Sequence, residues 1–218
     1  MHVMTTSECP PLAQRITKSL LGYGVIAGPF YILIVVAQEL IRPGFDPTRH
    51  EASLLANGTW GWIQIANFVI TGAMTIAAAV GVRRAMGAGL AGWLLGVYGL
   101  GLVGAGIFVA DPSNGFPPGA PPGRGPVSWH GMLHFVCAGV GFVCLTAACF
   151  VMAARLARDG ERGWAWGSGA VGALFAAGFA SVATGAKGAD VLLLFTAVVV
   201  VVWVWLTAIS VKLYRRVG

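Results

Sequence analysis

Val191-Leu-Leu-Leu-Phe-Thr-Ala-Val-Val-Val-Val-Val-Trp-Val-Trp-Leu-Thr-Ala-Ile-Ser-Val-Lys-Leu213 contains a single charged residue, Lys212, close to its end. A hydrocarbon core about 30 Å thick is crossed by roughly 20 apolar residues in a helix, so this segment is long enough to span a membrane. Five further segments share its character: Ser19–Ile41, Trp62–Val82, Gly89–Ala110, His130–Ala154 and Trp164–Thr184. The whole chain is 57% hydrophobic and 10% charged, with a mean hydropathy of +0.78. Soluble domains carry about 25% charged residues. The pattern predicts an all-α polytopic membrane protein, a bundle of six transmembrane helices.

Arg15 and Lys18 precede the first segment as they would a signal peptide. Its apolar run is longer than the roughly 7–15 residues of a signal core, and no A-x-A-like site follows, so a retained helix is expected. The expected organisation is an N-terminal cytoplasmic segment 1–18, a transmembrane domain 19–213 and a cytoplasmic tail 214–218. Two connections are long, Arg42–Gly61 and Asp111–Trp129, and loops of that length are often functional or disordered.

The distribution of Lys and Arg predicts the orientation. Arg15, Lys18, Arg83, Arg84, Arg155, Arg158, Arg162, Lys212, Arg215 and Arg216 fall on one side; Arg42, Arg49, Arg124 and Lys187 fall on the other. Both termini are therefore expected in the cytoplasm of a plasma (inner) membrane, with the two long loops outside. The net charge of +6 fits contact with anionic headgroups. No basic stripe with stacking aromatics or nucleic-acid module is present, so no nucleic-acid partner is expected.

Gly24-x-x-x-Gly28 and Gly92-x-x-x-Gly96 have the spacing that lets helices approach closely in lipid. Packing within the bundle is the first expectation and a homo-oligomer through the Gly-rich helices the second. The sixth segment is apolar on every side and is expected to face lipid. Cys9, Cys137, Cys144 and Cys149 read as small apolar fillers, without a Cys-x-x-Cys pattern.

The fourth segment carries the sharpest pattern. His130, His134, Cys137, Gly141, Cys144 and Ala148 fall on one narrow helical stripe, with Cys149 about 100° away from its centre. Glu39, Asp111, Gln64 and Asn67 stand at a similar height, and Arg42, Asp46, Arg49, His50 and Glu51 follow in the first loop. Ionisable groups at membrane depth are costly, so they are paired, solvated or functional. Three outcomes stay open: a hydrogen-bond network pinning the helices, a metal-free pocket, or a metal site. His130 and His134, with Asp111 or Glu39, supply donors for Zn²⁺, although the zincin pattern is missing because Gly-Met-Leu separates the histidines. Haem is disfavoured, since two histidines one turn apart cannot take opposite faces of one iron, and His2 is on the wrong side.

Two motif pairs carry a resemblance. Arg42-Pro-Gly-Phe-Asp46, Ser53 and Gly61-Trp-Ile-Gln64 form one half; Asp111-Pro-Ser-Asn-Gly-Phe-Pro-Pro118 and Ser128-Trp-His-Gly-Met-Leu-His134 form the other. Together they resemble a six-span bacterial membrane family, common in actinobacteria and catalogued only as a domain of unknown function. The resemblance covers roughly residues 19–213. It implies the six-span fold and draws attention to Asp46, Asp111 and His134, without implying a reaction.

The functional expectation is an outer-leaflet polar pocket that binds or processes a lipid or other hydrophobic or amphiphilic small molecule. Glu39, Asp111, His130 and His134 are its candidate catalytic residues, and Arg42, Asp46, Arg49, Gln64 and Asn67 its candidate ligand contacts. The competing class is a non-enzymatic transporter subunit or envelope-complex partner. Topology provides the first test. A reporter fused at Gly218 and one inserted at Gly119 are expected to report opposite compartments; the same compartment at both would contradict the six-span count.

Overall fold

The computed structural model describes residues 10–87, 89–123, 125–185 and 188–217. His2, Cys9, Arg124 and Lys187, which enter the sequence reading, lie outside these residues. Among the described residues six helices are long and apolar enough to cross a membrane: α1 (Leu12–Ile41), α2 (Gly61–Met86), α3 (Leu90–Ile107), α4 (Trp129–Arg158), α5 (Arg162–Ala183) and α6 (Ala189–Arg216). A short 3-10 helix, Ala52–Ala56, lies in the first long connection.

Local chemistry sets the ends. α1 stops at Arg42, whose extended backbone is what the following Pro43 favours. α2 ends on Gly87, left-handed at φ 73°, whose N–H returns to the Arg83 carbonyl. Ser128 caps α4, its hydroxyl accepting from the Gly131 N–H at 3.1 Å. At the opposite end of α4, the turn into α5 is tied to α6. Glu161 accepts from Lys212 Nζ at 2.6 Å and pairs with Arg216. These bonds, Lys212's foremost, hold the Glu161 carboxyl below its usual range.

The helices run alternately up and down. Each packs on its sequence neighbour, and α1 packs on α6, closing a ring, with α2 also touching α6. Gln14 of α1 bonds the Val217 carbonyl, so the start of α1 and the end of α6 meet on the terminal side. The two long connections lie together on the other, loop side.

Glycine sets the spacing of the ring. A Cβ at Gly28 would lie 2.7 Å from Thr207 Oγ1 and 2.8 Å from the Trp203 carbonyl oxygen. Gly72 and Gly99 face each other between α2 and α3, and a Cβ on either would fall within 2.8 Å of the other's carbonyl oxygen. Gly92 packs against Arg83 and Ala79 of α2. Gly24, Gly28 and Gly92 thus serve contacts inside the chain.

One sequence expectation is corrected. α6 does not simply face lipid: Val198, Val202, Trp203, Leu206 and Ile209 are buried, while Val200, Val201 and Val204 are exposed. Uniform apolarity hides this division, because lipid and protein interior select the same residue types. Trp203 stacks on Tyr31 at 5.0 Å and lies 5.8 Å from Tyr98, joining α6 to α1 and α3 at the centre. Cys149, off the predicted stripe, is fully buried, in keeping with an apolar filler, because α5 covers that flank of α4 and sets Gly172 against it. The second long loop contains no helix among its described residues, as its prolines require; Phe116 is fully buried, and Trp129 at the start of α4 is 65% exposed.

Gly28→Leu is expected to destabilise the protein by about 1–3 kcal/mol through overpacking against α6. Gly22→Leu, at a site with no atom within 4 Å of the Cβ position, is the neutral control. Thermal unfolding in mild detergent checks both.

Candidate functional site

The polar side chains of the loop-side half form three connected groups. The first is a column inside the α1–α2 interface. Gln64, Asn67, Thr71 and Thr75 recur at three- and four-residue spacing, so they share one face of α2. Gln38 Nε2 donates to Gln64 Oε1 at 2.8 Å and to the Ile34 carbonyl at 3.2 Å. Asn67 Nδ2 donates to Gln64 Oε1 and to the Tyr31 carbonyl, both at 3.3 Å. Thr71 Oγ1 donates to Asn67 Oδ1 at 3.1 Å, and Thr75 Oγ1 to the Thr71 carbonyl at 2.8 Å. All five side chains are buried.

Two atoms of this column have no partner: Gln38 Oε1 and Gln64 Nε2. The amide orientations follow from their neighbours. The Gln38 amino group faces a carbonyl, and Gln64 Oε1 receives two amino groups. Turning either amide would set like groups against each other. The column therefore presents one free acceptor and one free donor, both neutral.

The second group is the loop cap. Arg42 is buried, and its guanidinium donates to the Leu55 carbonyl at 3.0 Å and the Asn57 carbonyl at 2.6 Å. It lies 5.3 Å from the Phe116 ring centroid, and burial draws its pKa below the ordinary value. Asn57 Nδ2 donates to the Ala110 carbonyl at 3.0 Å, joining the first loop to the end of α3. His50 bridges the two long loops. Its Nδ1 accepts from the Asp46 N–H at 2.9 Å, so Nε2 carries the proton and donates to the Asn114 carbonyl at 3.0 Å. Asp46 Oδ1 accepts from the Thr48 hydroxyl and N–H, which hold its carboxyl below the usual range. Arg49 is exposed; its guanidinium donates to the Asn114 carbonyl at 3.4 Å, and its backbone carbonyl accepts from Asn114 Nδ2 at 3.3 Å.

The third group closes the α3–α4 connection. Asp111 Oδ2 accepts from the Ser128 N–H at 2.8 Å, and its carboxylate lies against Gly131. One turn deeper, His134 is buried with Nδ1 3.0 Å from the Ala105 carbonyl and 2.9 Å from that of Phe108. Carbonyls only accept, so Nδ1 carries the proton and caps the last turn of α3. His130 is exposed, with its ring 3.5 Å from that of Trp129. Glu39 is half-buried. Among the described residues, no hydrogen bond or ion pair joins any two of Glu39, Asp111, His130 and His134. Nor do three His, Cys, Asp or Glu side chains there stand close enough to hold an ion, so the Zn²⁺ donor set is not assembled among them.

All three groups lie inside the span, residues 25–212, that matches the family model described as a protein of unknown function, DUF998. The chain belongs to the DUF998 family. No curated protein and no solved structure matches it.

The DUF998 span takes in both motif pairs read from the sequence and leaves out the first turns of α1 and the last turn of α6. Within it, sequence reasoning passed over Gln38, Asn57, Thr71 and Asn114. Gln38 carried a signal, being an amide inside an apolar span next to Glu39. Asn57 and Asn114 carried none, since their role depends on two distant loops meeting.

Arg42→Lys is expected to open the cap, because one ammonium cannot reproduce a planar fork between two carbonyls. The cost is about 1–3 kcal/mol for leaving a buried acceptor unpaired. Hydrogen–deuterium exchange should quicken across Ala52–Asn57, whereas Arg49→Lys should leave it unchanged.

Proposed function

We propose that this DUF998 protein is a binding protein of the plasma membrane that holds an amphiphilic small molecule in the loop-side half of its bundle. Gln38 and Gln64 would be its hydrogen-bonding contacts, with Asn67 orienting Gln64. One observation carries this reading: a buried, unpaired amide oxygen and a buried, unpaired amide nitrogen on two side chains already bonded to each other. A buried polar group without a partner costs about 1–3 kcal/mol, and a ligand offering both a donor and an acceptor removes that cost twice. Both groups are neutral amides, which favours a hydroxyl, carbonyl or amide head over a charged one. The buried apolar side chains on the same helices, Tyr31, Val35 and Phe68, favour a hydrophobic body. With the termini in the cytoplasm, as the basic residues favour, this site belongs to the outer leaflet.

Binding is better supported than processing. His134 and Asp111 hold backbone groups, and His130 is turned outward, so acid–base work by these residues and Glu39 would require them to leave their present partners or positions. The same contacts favour the second reading, a non-enzymatic membrane protein in which the polar groups pin helices together. Arg42, already engaged with two carbonyls, would serve the cap; Arg49 and Asp46 lie at its surface.

Mass spectrometry of organic extracts separates the two. Wild-type protein purified in mild detergent is expected to release one amphiphile in stoichiometric amount. Gln38→Leu/Gln64→Leu should release about tenfold less, the equivalent of two net hydrogen bonds. Equal release from both, or none from wild type, would favour the pinning role.

A further inference from the structure

α5 and α6 enclose a second feature, far from the loop cap and open on the terminal side. Gly163, Trp164, Gly167, Ser168 and Val171 of α5 face Val201, Val204 and Trp205 of α6 across a depression of about 370 Å³. A second depression, about 510 Å³, adjoins it and shares Trp164; Ala208, Val211, Lys212, Arg215 and Arg216 line the rest. Together they make one groove. Along α6 its wall reads Val201, Val204, Trp205, Ala208, Val211, Lys212, Arg215 and Arg216, one continuous helical face whose chemistry changes from apolar to cationic within a turn. From Gly163 to Val171 the apolar part runs about 12 Å, close to the depth of one leaflet.

The floor of the groove is open. A Cβ at Gly163 or Gly167 would meet nothing within 4 Å, unlike Gly28 or Gly72, where neighbouring helices forbid one. Helix packing within the chain therefore does not require glycine at these two positions. Ser168 accepts from Trp205 Nε1 at 2.9 Å, fixing the indole as the inner wall. Lys212 Nζ stands 4.9 Å from the Trp164 ring centroid, so an aromatic ring marks the level where charge begins. Glu161 pairs with Lys212 and Arg216, leaving three cations against one carboxylate at the mouth.

We infer that this groove is a binding site for an acidic phospholipid of the leaflet on the terminal side. One acyl chain would lie over Gly163, Gly167 and Val171, and the phosphate would sit at Lys212, Arg215 and Arg216. Charge complementarity selects this occupant. A second copy of the chain would bring the same cationic end, and a zwitterionic lipid would gain no net attraction from the excess positive charge. Basic pockets between transmembrane helices are a known setting for anionic headgroups.

Native mass spectrometry of the full-length protein, released from micelles containing equal phosphatidylglycerol and phosphatidylcholine, tests this. Wild type is expected to retain phosphatidylglycerol preferentially. Arg215→Gln, which breaks no ion pair with Glu161, should reduce that retention about fivefold. Gly167→Leu fills the open floor without a clash and should reduce it by a similar factor, while the thermal unfolding midpoint of each variant stays at the wild-type value. Gln38→Leu/Gln64→Leu should leave it unaltered, which separates this groove from the loop-side site. Equal retention of the two lipids by wild type would overturn the inference. So would unchanged retention in both groove variants, or efficient dimer formation through a disulfide at Gly167→Cys.

Discussion

Hydrocarbon offers no hydrogen bonds, and that single fact governs the interior of this protein. A polar group that water cannot reach must find its partner on another part of the chain or remain unpaired at a cost of several kcal/mol. The helices answer the demand for their own backbones. The side chains of Gln38, Gln64, Asn67, Thr71 and Thr75 answer it by bonding in series along α1 and α2, so their polarity is confined to one seam. His134 and Asp111 meet the same demand where regular structure stops, the first at the carbonyls ending α3 and the second at the N–H preceding α4. The series is incomplete at one atom of each glutamine, and Arg83 Nε, Trp203 Nε1, Thr207 Oγ1 and Ser210 Oγ are likewise buried without a partner among the described residues.

Hydrophobic burial cannot hold the helices together in lipid, because the surroundings are as apolar as the interfaces; close contact must do so. Gly28 admits the backbone of α6 at Trp203, and Gly72 meets Gly99 almost carbonyl to Cα. The bulk that these glycines omit is restored at the centre by Trp203, stacked on Tyr31 and near Tyr98. Small residues at the seams and one large indole at the axis are complementary parts of the same packing solution. Where the seam between α5 and α6 keeps its glycines but lacks the close approach, a groove remains.

Much of this was legible in the sequence. Six apolar runs gave six helices, and the glycine spacing in α1 pointed to a close interface. The stripe through His134, Gly141 and Ala148 does face inward. Gln64 and Asn67 were legible as polar residues sharing one helical face. The loop architecture was not. His50 meets Asn114, and Asn57 meets Ala110, across separations in sequence that no local pattern encodes. Arg42 read as a ligand contact because its two acceptors are backbone atoms, which are invisible in a string of side chains. Trp203 was hidden for the opposite reason: in a run of valines and tryptophans, inside and outside look alike.

The ring closes between α1 and α6, and this has a consequence for biogenesis. During synthesis α1 enters the bilayer before the other five helices, yet the surface that Gly24 and Gly28 are shaped for arrives only with Thr207 and Ser210 of α6. Until then one side of α1 has lipid where it will later have protein, and the α1–α2 seam is flanked on one side only. Closure of the ring is thus non-local, the first and the sixth of these helices joining to complete the circle. A chain lacking α6 would leave the flank of α1 that carries Gly24 and Gly28 bare to the bilayer.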